Sequence, residues 1–277
     1  MNTPWRCALL LTAMLCAAKS LPAQLPFYTD DPAVTAPGVL HFEFFNEFDG
    51  LQSSQFPDLR QNTANFKLNY GLKHNLELDV DFPYLSIYRA TSVPAAAGFG
   101  DTDMGIKWNF HQAREGSWVP ILSASLYIEF PTGSPSKGLG SGIADYWLNF
   151  IAQKPFTEKT RMNGNFGYLF AGNTSTGAIG IQTARGHVFT GGVSLLHDFS
   201  SRLTLGIEGY GGRADTSGLG RTQLQGMVGG QCAIRNGFSF TFGLLGGRYE
   251  ASPELAGRSA SRWTSRQFFT VRTQIKV

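Results

Sequence analysis

The sequence predicts an all-β protein: a transmembrane up-and-down antiparallel β-barrel of about twelve strands that follows an N-terminal signal peptide. Three observations lead to this prediction. Apolar and polar residues alternate along repeated segments of about ten residues. The connections between these segments alternate between short and long, and residues 1–24 have the features of an export signal.

The N-terminus has the three parts of a signal peptide. Arg6 supplies the positive charge, Cys7 to Ala18 form an apolar run, and small residues lead to a cleavage site after Ala23 or Gln24. The alternative is a buried helix, because the apolar run is too short to span a bilayer. We therefore expect an exported mature chain that begins near Leu25.

Alternation with a period of two residues marks the predicted strands. Residues 76–82 read LELDVDF, in which apolar and acidic residues alternate. Residues 40–47, 122–130 and 269–277 show the same period, which is that of a β-strand. This pattern fits two structures: a soluble sandwich with its charges outside, or a membrane barrel with its charges in the lumen.

Connection lengths favour the membrane barrel. Short links fall near 71–75, 112–117, 155–160, 198–201 and 235–237, and longer links rich in Gly, Ser and Pro fall near 49–62, 89–100, 131–142, 173–185, 213–220 and 250–262. Short turns at one end and long loops at the other are typical of outer-membrane barrels. An even number of strands would also return both termini to the periplasm.

Composition and charge exclude other classes. The chain has 33 glycines and 13% aromatic residues, and after the signal it contains no apolar run of about 18 residues that could form a membrane helix. The formal charge of +3 falls close to neutral without Arg6 and Lys19, so no basic surface is predicted for nucleic acid. The mature chain keeps only Cys232 and can form no internal disulfide.

A stretch in the middle of the chain resembles a known family. Residues 98–110 read GFGDTDMGIKWNF, followed by IEFPTGS at 128–134 and GNFGYLF at 164–170. These segments resemble the MetA-pathway of phenol degradation family of Gram-negative outer-membrane proteins. The positions that carry the resemblance are Gly98, Gly100, Asp101, Gly105, Lys107 and Trp108. The resemblance implies an outer-membrane barrel of a transport family and leaves the substrate open.

The C-terminus departs from the usual pattern of these barrels. Such chains commonly end in an aromatic residue that the barrel-assembly machinery reads, whereas this one ends in Val277. The alternation of Phe269, Val271, Thr273 and Ile275 is kept. We therefore still expect the barrel-assembly machinery and outer-membrane lipid to be partners of this chain.

Charged residues on the inner face are the candidate site. The predicted lumen-lining residues are Glu43, Lys67, Glu77, Asp79, Asp81, Asp103 and Lys107. We expect the three β-strand carboxylates at 77, 79 and 81 to pair with Lys67 on the adjacent strand and with Lys107 or arginines across the lumen. A hard cation held by them is the alternative; no metal and no cofactor is predicted.

The domain organisation follows from these assignments. Residues 1–24 form the signal peptide, residues 25–38 a periplasmic or plug segment, and residues 39–277 the barrel. Pro26, Pro32 and Pro37 exclude regular strand pairing in the second segment.

The function favoured by this pattern is a passive pore or transporter for small solutes, hydrophobic or aromatic ones among them. The main alternative is a closed barrel with a structural or surface-binding role, acting through the loops at 131–142 and 250–262. An outer-membrane enzyme is the minor alternative. Only His41 and Glu43 pair on the inner face and the sequence identifies no nucleophile, so no catalytic activity is predicted.

Overall fold

A computed structural model describes the fold, and the residues that it describes form thirteen β-strands. The structure describes residues 26–51, 59–88, 94–113, 117–171, 185–215, 222–235, 238–250 and 265–276. The strands are β1 (Leu40–Leu51), β2 (Leu59–Leu72), β3 (Leu76–Ile87), β4 (Ala96–Phe99), β5 (Thr102–His111), β6 (Ile121–Phe130), β7 (Asp145–Pro155), β8 (Thr160–Ala171), β9 (Gly186–Asp198), β10 (Leu203–Ala214), β11 (Thr222–Arg235), β12 (Phe238–Glu250) and β13 (Ser265–Lys276). The predicted signal peptide lies outside the described residues.

The sheet closes on itself. All the strand pairs are antiparallel, strands β5 to β13 each pair with the next in sequence, and β1 pairs with both β2 and β13. β3 pairs with β2 along its whole length and with β5 along its first half, while the short β4 pairs with the end of β3. β4 and β5 thus pair with different halves of β3 and together occupy one strand position in the wall. Counted in this way, the closed ring has twelve strand positions. Closure satisfies the backbone groups that an open sheet would leave unpaired at its edges.

The two faces of the wall have the reverse of the polarity found in soluble proteins. Outward side chains are apolar and exposed: Phe150 is 50% and Ile207 57% accessible. Inward side chains at Ser194 and Thr241 are polar and 0% accessible. A soluble sandwich would place the apolar face inside, so this surface is one that needs lipid. The prediction of an all-β membrane barrel of about twelve strands is confirmed.

The described residues contain one short 3-10 helix, Pro135–Lys137. No helix among them is long and apolar enough to cross a membrane.

The connections define two ends of the barrel. We call the end with connections 73–75, 112–120, 156–159, 199–202 and 236–237 the turn end, and the opposite end the loop end. Three of the loop-end connections, 131–144, 172–185 and 251–264, are longer than any at the turn end. The predicted alternation has an exception, because 112–120 is longer than the loop-end connection 52–58.

Residues 26–37, which we call the inner segment, run through the interior without regular structure. They join β1 at the turn end through Gly38, whose φ of 78° suits glycine, and whose N–H donates to the Gly71 carbonyl at 2.8 Å. A β-carbon at position 71 would lie 2.1 Å from the Ala36 carbonyl oxygen. Gly71 therefore lets this segment pass close to the end of β2.

Candidate functional site

The seven predicted lumen-lining residues form one patch on the inner face. Glu43, Glu77, Asp79, Asp81 and Lys107 are buried, and Lys67 and Asp103 are half-buried. They lie on β1, β2, β3 and β5, which are neighbours in the ring. Whether solute passes along this patch stays a prediction.

Strand register arranges many of these charges in a row. Glu43 lies opposite Lys67, Lys67 opposite Asp81, and Asp81 opposite Asp103. The row continues to Glu129 on β6 and Asp145 on β7, two residues that the sequence-based candidate list does not contain. Their positions in alternating strands put them on the inner face, but only strand pairing aligns them with Asp103.

The counter-charges follow the expectation at Lys67 and differ from it at Lys107. Lys67 interacts electrostatically with Asp81, Asp79 and Glu43, and its ammonium lies 5.7 Å from the centre of the Tyr127 ring. The ion pair of Lys107 is with Asp30, at 2.9 Å, and not with a β3 carboxylate. Both side chains of this pair are largely buried.

Hydrogen bonds tie residues 29–35 to opposite walls of the barrel. Thr29 donates to Glu208 on β10 from its backbone N–H at 2.5 Å and from its hydroxyl at 2.8 Å. The carbonyl of Pro32 accepts hydrogen bonds from Asn109 at 2.8 Å and from Ser123 at 2.6 Å. The segment is thus held across the lumen by polar contacts with buried partners.

Two further contacts complete the anchoring of the segment. The Thr35 backbone N–H donates to Glu77 at 2.5 Å. Phe27 is buried against Leu196, Met227 and Leu245 from β9, β11 and β12. Burying a phenylalanine contributes about 1.5–3 kcal/mol, so both charged and apolar walls hold these residues.

Asp101 forms a contact between the wall and the loop at 131–144. Its two carboxylate oxygens accept the backbone N–H groups of Gly133 at 2.8 Å and Ser141 at 2.7 Å. A β-carbon at position 140 would lie 2.3 Å from the Asp101 carboxylate. Leu139, which belongs to the same loop, is buried. The loop is therefore packed against the inner wall where β4 gives way to β5.

An apolar cluster lies beside this region. Leu169, Val188 and Ala214 are buried together on β8, β9 and β10, and Trp147 on β7 packs against them. Since Trp147 follows Asp145 by two residues, an acidic and an apolar side chain are neighbours on the inner face of β7. In the loop-end half of the lumen, the row of carboxylates lies on one side and this apolar cluster lies on the other.

The residues that carry the family resemblance now have structural roles. Asp101 holds the loop at 131–144, and Lys107 holds residues 26–37 through Asp30. A β-carbon at Gly105 would lie 2.3 Å from the Tyr127 ring, whose hydroxyl donates to Asp79 at 2.6 Å. Trp108 lies on the outer face and is 51% accessible.

The described residues were searched for clusters of metal-ligating side chains. Within the described residues, no group of three or more His, Cys, Asp or Glu side chains is placed to hold a metal ion. His41 lies 3.6 Å from Glu43. Cys232 is a free thiol.

Comparison with solved structures identifies outer-membrane barrels. The COG4313 outer membrane channel from Pseudomonas putida F1 is 15% identical, with a TM-score of 0.63 over 89% of this chain and 97% of that one. The translocator domain of the autotransporter NalP from Neisseria meningitidis is 13% identical, with a TM-score of 0.53 over 98% and 94% of the two chains. The NanC porin is 7% identical, with a TM-score of 0.52 over 84% and 100%. At these identities the similarity is one of fold.

A comparison of the sequence with curated proteins finds no match. A family model does match, and it covers residues 29–252, which include most of residues 26–37 and all but the last strand of the barrel. The chain therefore belongs to the family described as "Putative MetA-pathway of phenol degradation".

Proposed function

We propose that this protein is an outer-membrane channel of a Gram-negative bacterium that admits small solutes by passive diffusion, hydrophobic or aromatic ones among them. The observation that carries the proposal is the closed barrel with an apolar outer face and a charged inner face. Charged side chains along a lumen are typical of pores that select among solutes. A twelve-strand barrel is wider than the eight-strand barrels that side chains fill.

In this proposal the turn end faces the periplasm and the loop end faces the outside. Of the two roles expected for residues 25–38, a periplasmic or a plug segment, the proposal takes the plug: they narrow the lumen, and the loop at 131–144 narrows the opposite mouth. Glu43, Lys67, Glu77, Asp79, Asp81, Asp103 and Lys107 line the passage between them. The barrel-assembly machinery inserts the chain, and outer-membrane lipid surrounds it.

Single-channel conductance of the refolded mature chain in a planar bilayer tests this function. We expect stepwise currents whose preference for cations decreases in Asp79→Asn. Lys107→Met should increase the current, because breaking a buried ion pair costs about 3–5 kcal/mol and displacement of the inner segment would relieve that cost. Lys159→Met, in the exposed turn 156–159, is the matched control and should conduct like the unchanged protein.

Silence from a correctly folded barrel, in both the unchanged protein and Lys107→Met, would overturn the channel proposal. It would favour the closed structural or surface-binding barrel. The inward-folded loop at 131–144 is the described surface through which that alternative would act, since residues 251–262 of the other loop lie outside the described residues.

A further inference from the structure

Two arginines lie on the outer face of the wall at the loop end. Arg213, the second-to-last residue of β10, is exposed and shares its outward position in the alternation with Ile207. Its register partner on β9 is Phe189, whose side chain is 53% accessible. Arg185 is exposed and directly precedes β9. Both arginines therefore lie where the apolar outer wall meets the loop end.

The guanidinium of Arg185 is held in place by two contacts. It lies 4.7 Å from the centre of the Phe170 ring, and its Nη1 donates a hydrogen bond to the Ala144 carbonyl at 2.8 Å. A guanidinium has five N–H donors in a fixed plane, and Ala144 accepts one of them. The group is thus positioned and keeps donors for a further acceptor.

Aromatic rings surround this position on the outer face. Phe170 lies 6.4 Å from Tyr146 on β7 and 5.2 Å from His187 on β9, measured between ring centres. Tyr168 lies 5.3 Å from Phe189, and its hydroxyl forms a hydrogen bond with Nδ1 of His187. Aromatic residues of membrane barrels are enriched at the boundary between lipid and water. The two arginines thus lie at the depth of the lipid headgroups.

Neither arginine has a carboxylate partner among the described residues, because the ion pairs found there join other side chains. Asp215 directly follows β10, but its Oδ1 accepts the backbone N–H of His187 at 2.9 Å. Basic residues at a membrane surface attract anionic lipid headgroups, and arginine binds phosphate through paired N–H groups. A lipid phosphate is therefore the counter-charge that fits this surface.

The two charges are spaced for a headgroup with two phosphates. The Arg185 guanidinium lies over Phe170 on β8, whereas Arg213 belongs to β10, so that β9 lies between them. At the spacing of neighbouring strands this amounts to about 10 Å across the sheet. Two phosphates at opposite ends of a disaccharide suit this arrangement better than a single phosphate does.

We propose that Arg185 and Arg213 bind a lipid of the outer leaflet whose disaccharide headgroup carries two phosphates, which is the chemistry of lipid A. Each arginine donates to one phosphate, and the rings of Tyr168, Phe170 and Phe189 contact the acyl chains. The inference rests on the proposed function for its orientation, in which the loop end faces the outside. It does not depend on the passage of a solute.

Native mass spectrometry of the refolded mature protein in detergent measures this binding directly. The probes are diphosphoryl, monophosphoryl and dephosphorylated lipid A, together with phosphatidylglycerol as a phospholipid with one phosphate. We expect the diphosphoryl form to bind about tenfold more tightly than the monophosphoryl form or phosphatidylglycerol, because a hydrogen bond to a charged group is worth about that factor. The dephosphorylated form should bind more weakly still.

Two variants locate the binding surface. Arg185→Gln and Arg213→Gln each remove one charge, and each should weaken the binding of diphosphoryl lipid A by about tenfold. Arg202→Gln is the matched control, the same substitution in the exposed connection between β9 and β10 at the turn end. It should leave the binding of lipid A unchanged.

Four outcomes would overturn the inference. Equal binding of diphosphoryl and dephosphorylated lipid A would show that the acyl chains alone are bound, and equally tight binding of phosphatidylglycerol would show no selection for two phosphates. Equal loss in Arg213→Gln and Arg202→Gln would indicate a diffuse attraction to positive charge. The fourth is absence of lipid A binding to a protein with the circular dichroism of a folded barrel. Because no current is measured, each outcome is independent of whether the barrel conducts.

Discussion

At the scale of single residues, Asp101 shows how one side chain can determine the course of a loop. Both of its oxygens accept backbone N–H groups from the loop at 131–144, and the side chain is buried. Hydrogen bonds to a charged group contribute about 1.5–3 kcal/mol each. The sequence marks Asp101 through the family resemblance, but its partners Gly133 and Ser141 lie in a separate part of the chain.

Asp101→Asn should loosen this loop. The substitution replaces one acceptor oxygen by an NH₂ group, which would face a backbone N–H donor, and we expect a local loss of about 1–3 kcal/mol. Amide hydrogen exchange in peptides from residues 131–144 should become faster by tenfold or more. Glu129→Gln serves as the control, because no hydrogen bond from Glu129 to this loop occurs in the described residues. Equal exchange in the two variants would contradict a role for Asp101 in holding the loop.

At the scale of elements, β5 connects the wall to the two segments that narrow the lumen, residues 26–37 and the loop at 131–144. It begins directly after Asp101 and carries Lys107, which faces Asp30. Between them, Gly105 lies under the Tyr127 ring of β6. The ring fills the space that a side chain at position 105 would take, and this position brings its hydroxyl to Asp79 and its face toward Lys67.

Gly105→Ala should destabilise the barrel. A methyl group 2.3 Å from the Tyr127 ring must displace the ring, and overpacking of this kind costs about 1–3 kcal/mol. Urea unfolding of the refolded protein in detergent, followed by tryptophan fluorescence, measures the change. Gly209→Ala on β10 is the matched control, since a β-carbon there meets no atom within 4 Å. The prediction is wrong if both variants unfold at the same urea concentration.

At the scale of the whole molecule, the reversed polarity of the wall determines which environment the fold needs. Exposed Leu, Ile, Val and Phe side chains surround the barrel, while its interior holds carboxylates, amides and hydroxyls. In water this arrangement would expose a continuous apolar surface. In a bilayer the same surface is favourable, and the closed ring leaves no edge to be solvated.

Ile207→Arg tests this environment. A charge on the lipid-facing side of a barrel costs about 2–4 kcal/mol near the bilayer midplane, so folding into lipid vesicles should become less favourable by this amount. Phe156→Arg, on an exposed residue in a turn-end connection, should have little effect. For a soluble sandwich, Ile207→Arg on the exposed face would be neutral, and that result would contradict the membrane barrel.

Much of this architecture follows from local sequence pattern. The period of two residues assigns each side chain to a face, and turn and loop lengths give the up-and-down order of the strands. For this reason Glu43, Glu77, Asp79, Asp81 and Lys107 could be assigned to the inner face from the sequence alone. Family resemblance added Asp101 and Gly105 without indicating their contacts.

Contacts between distant parts of the chain are what the pattern could not supply. The ion pair of Lys107 with Asp30, the bonds from Thr29 to Glu208, and the row that adds Glu129 and Asp145 depend on register around the ring and on the path of residues 26–37. A period of two residues is a property of neighbours along the chain, so the sequence by itself determined the two faces of the wall. Which inward groups meet across the lumen is decided by strand register and ring closure, and only the tertiary structure contains these.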